Sequence, residues 1–211
     1  VGSEMCIRDR NKKRFNHNNQ GGLAVNYETV DAGNQWQIID AGETGITELP
    51  KIVTDIATLS SSKKYVLTTK RGPLYGTGNG NVMSVSDPNP FVNDNYCFTP
   101  YKDNDGKCYL YNVGGNSFVR KSDNTAKLEL RLKKAEITFG AATGNASYPY
   151  TISVDGNFIN HSHTWVATNY QTQDDGNRWM IVEVGAADET AVSKCYDEAS
   201  VSYTHLRAHE T

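Results

Sequence analysis

Short runs of alternating apolar and polar residues recur along the chain, separated by turns rich in Gly, Asn and Asp. A period of two predicts half-buried strands, and no long stretch carries the 3.6-residue period of a helix. Three segments share one outline: YVLTTKRGPLYG at Tyr65–Gly76, YLYNVGGNSFVR at Tyr109–Arg120 and YTISVDGNFIN at Tyr150–Asn160. Each opens on Tyr, alternates, passes a Gly-containing turn and resumes with Leu74, Phe118 or Phe158. Each is followed by a second strand pair: Val82–Val85 with Tyr96–Phe98, Leu128–Leu132 with Ile137–Phe139, and Trp165–Thr168 with Trp179–Val182. Three four-stranded units of about 40 residues predict an all-β fold of the β-trefoil type, a closed six-stranded barrel capped by three hairpins. A β-sandwich is the alternative.

A longer repeat sets the organisation. Phe15–Gly42 aligns without gaps on Phe158–Gly185 at a spacing of 143, with eleven of 28 pairs identical. NYETVDAGNQWQIIDAG at Asn26–Gly42 matches NYQTQDDGNRWMIVEVG at Asn169–Gly185 best. Residues 11–42 therefore read as the last third of an upstream trefoil, and residues 64–185 as a complete one. Between them, 43–63 reads as a connector. Its Pro50, Ile52, Val53, Ile56 and Leu59 fit a short helical turn packed under the following barrel. Residues 186–199 read as the start of another connector.

Composition changes this picture at the ends. Residues 1–10 (VGSEMCIRDR) and 200–211 resemble the two strands of a transposase-type sequencing adapter translated into protein. The reading excludes them from fold reasoning. They carry three basic and three acidic residues (Arg8, Arg10, Arg207; Glu4, Asp9, Glu210), so the net charge of −3 is unchanged without them. Cys97, Cys108 and Cys195 are the cysteines left, and His17, His161 and His163 the histidines. The charge balance holds no basic stripe for nucleic acid. No apolar run is long enough to insert in a membrane. Three cysteines make no disulfide framework. A turn at Asp103–Gly106 is expected to set Cys108 opposite Tyr101, out of reach of Cys97.

The candidate chemistry is sparse. Trp36 and Trp179 read as core tryptophans. Asp31, Gly33 and Asn34, with Asp174, Gly176 and Asn177, read as turn chemistry, the glycines supplying positive φ. Trp165 differs, because Gly22 stands in its place upstream and alternation with Val166 and Thr168 points it outward. Beside His161, His163, Asn169 and Tyr170 it forms a candidate sugar platform: the indole covers the apolar face of a pyranose while polar groups take its hydroxyls. His161 and His163 share one side of a strand, as zinc ligands can, but no third ligand accompanies them, and surface histidines are expected. The Asp103–Gly106 stretch is a hairpin turn rather than a calcium loop. Asp174 and Asp175 lie in one turn without a distant carboxylate to match, so no glycosidase pair is expected. No nucleophile elbow, phosphate loop or Cys/His pair occurs, so neither catalysis nor a cofactor or metal is expected.

The Asn34-x-Trp36 and Asn177-x-Trp179 endings resemble the Gln-x-Trp signature of ricin-type β-trefoil lectins, with Asn replacing Gln. The matching place in the first unit reads Asp94-Asn95-Tyr96. Most of Ile46–Gly185 is also similar to trefoil-type accessory repeats of large secreted glycan-degrading proteins of anaerobic gut bacteria. These resemblances imply carbohydrate binding without catalysis, on a secreted or cell-surface protein, in tandem copies that gain avidity. The alternative is a structural spacer contacting adjacent domains and presenting an enzyme encoded elsewhere. Protease inhibition through a loop at Ser84–Asn95 ranks last.

Overall fold

The computed structural model describes residues 14–17, 23–27, 50–77, 80–84, 90–162 and 165–197. The chain divides into two compact units, Val1–Thr44 and Gly45–Thr211. Trp36 and the Asp31–Asn34 turn lie outside the described residues.

In the first unit, β1 (Arg14–His17) pairs antiparallel with β2 (Leu23–Tyr27). Asn16 faces Ala24, His17 faces Leu23, and a bulge follows Arg14. The same arrangement recurs in the second unit between β13 (Asn157–Ser162) and β14 (Trp165–Tyr170): Asn160 faces Ala167, His161 faces Val166, and a bulge follows Phe158. The gapless alignment is therefore corrected by one residue. The second strands stay 143 apart, but Asn16-His17 matches Asn160-His161 at 144, so the upstream copy has one more residue between its strands.

The second unit is built mostly of antiparallel strands. Its first set is β4 (Lys63–Thr69), β5 (Gly72–Gly76), β6 (Val82–Ser84) and β7 (Cys97–Lys102). The second is β8 (Cys108–Asn112), β9 (Ser117–Lys121), β10 (Leu128–Arg131) and β11 (Ile137–Ala141). The third is β12 (Tyr150–Val154), β13, β14 and β15 (Met180–Ala186). One sheet runs β10-β9-β8-β7-β4-β15, with β5 and β6 branching from β4; the other runs β11-β12-β13-β14. A bridge between Tyr150 and Trp179, with backbone bonds of 3.1 and 2.7 Å, joins them. Following first and fourth strands gives the series β15-β4-β7-β8 and then β11-β12, but no ladder joins β8 to β11. The expected closed barrel is thus not formed. The hairpins β5–β6, β9–β10 and β13–β14 are linked by bridges Asn81–Glu129 and Lys127–Ala167.

The turns fix the register within each set. Thr69 faces Gly72, Asn112 faces Ser117 and Val154 faces Asn157 across the first turn. Counting back by twos makes Leu67, Leu110 and Ile152 equivalent; all three are buried in one core. Two residues further back the equivalents are Tyr65, Cys108 and Tyr150. Tyr109 is thus not the counterpart of the other two tyrosines, as its place at the head of a similar segment predicts. It faces the other side of β8, in a separate cluster with Tyr111, Phe118, Val192 and Cys195. Shifting a strand by one residue exchanges its two faces. The Asp155-Gly156 turn is a two-residue hairpin with both φ values positive (51° and 74°), the conformation that Asp-Gly favours.

In the connector a strand precedes the helical turn. Lys51–Ile52 forms a strand, β3, on the edge of β15, which leaves Ile52 exposed. Only Ile56–Thr58 turns helically, as one 3₁₀ turn capped by Asp55, whose side chain accepts from Ala57 N. Val53, Ile56 and Leu59 still pack on the main core. Residues 189–197 form a helix, α1, where a connector is expected. Asp188 caps it by accepting from Thr190 N and Ala191 N. Val192, Cys195 and Tyr196, at helical spacing, pack on the Tyr109 cluster. Cys108 lies opposite Lys102 rather than Tyr101, and Cys97, Cys108 and Cys195 are free thiols. No helix among the described residues is long and apolar enough to cross a membrane.

Candidate functional site

The Asp174–Trp179 segment uses its polar groups internally. Asp174 Oδ1 accepts from Gly176 N at 2.7 Å and from Asn160 Nδ2 at 2.8 Å. Asn177 is fully buried; its Oδ1 accepts from Asp174 N and its Nδ2 donates to Thr172 O, both at 2.8 Å. Trp179 is fully buried and its indole N–H donates to Ile159 O at 3.2 Å. Buried polar groups must be paired inside the fold, and these are. Gly176 does not take the positive φ expected of it. It is needed for close approach: its carbonyl accepts from His161 N at 2.7 Å, and a Cβ would sit 2.6 Å from His161 O. Arg71 Nη1 donates to the His161 carbonyl at 2.7 Å, locking the first hairpin of the unit to the last.

The exposed rim of this turn carries Lys70 and Asp175, paired at 2.9 Å. The hydrogen bond from Lys70 holds the Asp175 carboxyl below its ordinary range, and the same bond raises the Lys70 ammonium. With both members exposed, this pair contributes little to stability.

His161 is not a surface histidine. It is fully buried, its Nδ1 lies 2.9 Å from Thr69 Oγ1, and its backbone N–H donates to Gly176 O at 2.7 Å. Directly opposed residues of an antiparallel pair share a face. His161 opposes Val166 and so points inward, whereas Trp165 opposes Ser162 and Ala167 opposes Asn160. His161 therefore leaves the candidate platform. His163 and the Asn169 side chain lie outside the described residues. No group of three metal-binding side chains occurs among the described residues.

Trp165 is 40% exposed. Val166 beside it is fully buried, which anchors the start of β14. The bulge between the Asn160 and Phe158 pairs inserts a residue in β14. It returns half-buried Tyr170 to the face that Trp165 and Ser162 share. Lys127 places its ammonium 5.6 Å from the indole centroid, within cation–π range. Lys127 comes from the preceding set of strands, next to β10. Its backbone bridges Ala167, and Thr168 N donates to Ala126 O at 2.8 Å, so Ala167 and Thr168 are covered and only Trp165 stays open. Of the residues the sequence assigns to the platform, Trp165 and Tyr170 share one face. Lys127 and Ser162 join them. No linear pattern points to Lys127, because its approach depends on how two hairpins meet.

The site thus offers an aromatic plane, an ammonium group and hydroxyls. Neither the known family models nor the curated proteins compared with this chain give a match.

Proposed function

We propose that this chain carries a non-catalytic carbohydrate-binding module of the β-trefoil type, present in tandem copies on a secreted or cell-surface protein, with Trp165 as the stacking residue for a sugar ring. The observation that carries this reading is the open indole of Trp165 among polar groups, on a hairpin whose opposite face is sealed by His161 and Val166. Aromatic planes with adjacent hydrogen-bonding groups suit sugars, which present one apolar face and a rim of hydroxyls. The trefoil reading is supported by the three sets of strands and by the bridges among their three hairpins. Tandem copies are supported by the matching bulged hairpin of residues 14–27.

A spacer role is the second reading, favoured by the internal use of Asp174 Oδ1, the Asn177 amide and the Trp179 indole N–H. Glycan-array screening of the full chain beside Trp165→Ala separates the two. The binding reading expects retention on at least one polysaccharide and its loss in the variant. No retention, or retention that survives Trp165→Ala, overturns it.

A further inference from the structure

The seams between first and fourth strands are alike in two sets and different in one. In the first set of strands Tyr65 faces Phe98, and in the third Tyr150 faces Trp179. Both are aromatic pairs within the main core. Both tyrosine hydroxyls then reach the segment that runs beneath the strands: Tyr65 Oη accepts from Ser60 N at 3.0 Å, and Tyr150 Oη donates to Val53 O at 3.2 Å. In the second set the equivalent of Tyr65 and Tyr150 is Cys108. The equivalent of Phe98 and Trp179 is Ile137, which opposes Val154 as Phe98 opposes Asn112. Two smaller side chains thus replace an aromatic pair at the one seam that, among the described residues, has neither a ladder nor a bridge.

A cavity of about 370 Å³ opens at this seam, lined by Ile56, Leu59, Cys108, Glu136, Ile137 and Phe139, with Lys102 also on its wall. Ile56 and Leu59 belong to the same segment that the two tyrosine hydroxyls grip elsewhere. The walls are predominantly apolar, with one carboxylate and one ammonium among them, the composition of small-molecule sites.

We propose that this seam is a binding site for a small phenolic ring, which takes the place that Tyr65 and Tyr150 fill at the other two seams. The ring packs on Ile56, Leu59, Ile137 and Phe139 and meets the Cys108 sulfur, a favourable aromatic neighbour. The phenol O–H is directed to the polar groups, donating to the Glu136 carboxylate or accepting from Lys102. Burial pushes the Cys108 thiol up to about 11, so the ring meets a neutral S–H. Two rings at equivalent positions show the shape the fold accepts there.

The probe is 4-methylphenol, the side chain of tyrosine, titrated into the full chain with ligand-observed NMR. Saturable binding is expected, retained in Trp165→Ala and abolished in Cys108→Tyr, whose own ring occupies the seam. Alkylation of Cys108 by iodoacetamide, followed by peptide mass spectrometry, gives a readout that needs no variant. At a probe concentration about ten times Kd, modification slows roughly tenfold, as 1 + [L]/Kd requires. Non-saturable binding, binding that survives a folded Cys108→Tyr, or an unchanged Cys108 alkylation rate each overturns the proposal. The Trp165→Ala arm keeps this outcome separate from that of the glycan reading.

Discussion

Trp179 and Trp165 belong to the same structural unit and do opposite things. Trp179 is fully enclosed, bridges Tyr150 and donates its indole N–H to Ile159 O. Trp165 stands on the rim with two-fifths of its surface open and Lys127 over its ring. The repeated Gly-Asn-x-Trp motif surrounds the first tryptophan, and the bonds described there hold the chain to itself. The second tryptophan belongs to no signature and is replaced by Gly22 in the upstream copy. In this unit the repeated motif is buried and holds the fold, while the tryptophan that the repeat does not share is the exposed one.

The largest test of this contrast is Trp179→Ala. Removing a fully buried indole costs about 3–5 kcal/mol, so denaturant titration should show a deep loss of stability or an unfolded chain. A variant of nearly unchanged midpoint would place Trp179 outside the core and remove the contrast. Gly176→Ala comes next. Its Cβ would press on the His161 carbonyl, and overpacking of this kind costs about 1–3 kcal/mol. Thermal melts of this variant should fall clearly below wild type; an equal Tm would show that the strand can retreat at no cost.

Asp103 sharpens the account of α1. Its carboxylate accepts from Lys107 N at 2.9 Å, Tyr109 Oη at 3.0 Å, Asp105 N at 3.0 Å and Tyr196 Oη at 3.2 Å. Desolvation raises its pKa, but these bonds together outweigh that and hold it below the ordinary value. A depressed folded-state pKa contributes stability above the unfolded-state value, lost as pH falls through the folded one. The Tm difference between wild type and Asp103→Asn should therefore be full above about pH 5 and shrink below the ordinary carboxylate pKa near 4. A difference independent of pH would mean that the charge of Asp103 plays no part.

Much of this molecule is legible in its alternation. The turn-flanked runs at Tyr65–Gly76, Tyr109–Arg120 and Tyr150–Asn160 each become a strand pair, because period-two patterning and Gly-containing turns act locally. What escapes is parity and long-range meeting. Tyr109 heads a segment like Tyr65 and Tyr150, but the longer Val113–Asn116 turn shifts its strand by one residue and turns it outward. His161 looks like a surface histidine, since nothing local announces Thr69 or Gly176 as its partners. Lys127 reaches Trp165 only through the bridge to Ala167. The 3.6 spacing of Val192, Cys195 and Tyr196 is visible in the sequence, but a stretch so short declares itself as a helix only by docking.

The smallest effect on stability accompanies the largest expected effect on binding. Trp165→Ala removes a rim side chain, so its stability should stay within about 0.5 kcal/mol of wild type. Affinity electrophoresis of the full chain and this variant through gels containing xylan, mannan, galactomannan or mixed-linkage β-glucan tests the central claim directly. The account predicts that at least one polysaccharide retards the wild type, while the folded variant migrates as in the control gel. Equal retardation of both proteins, or no retardation of the wild type in any gel, would contradict it.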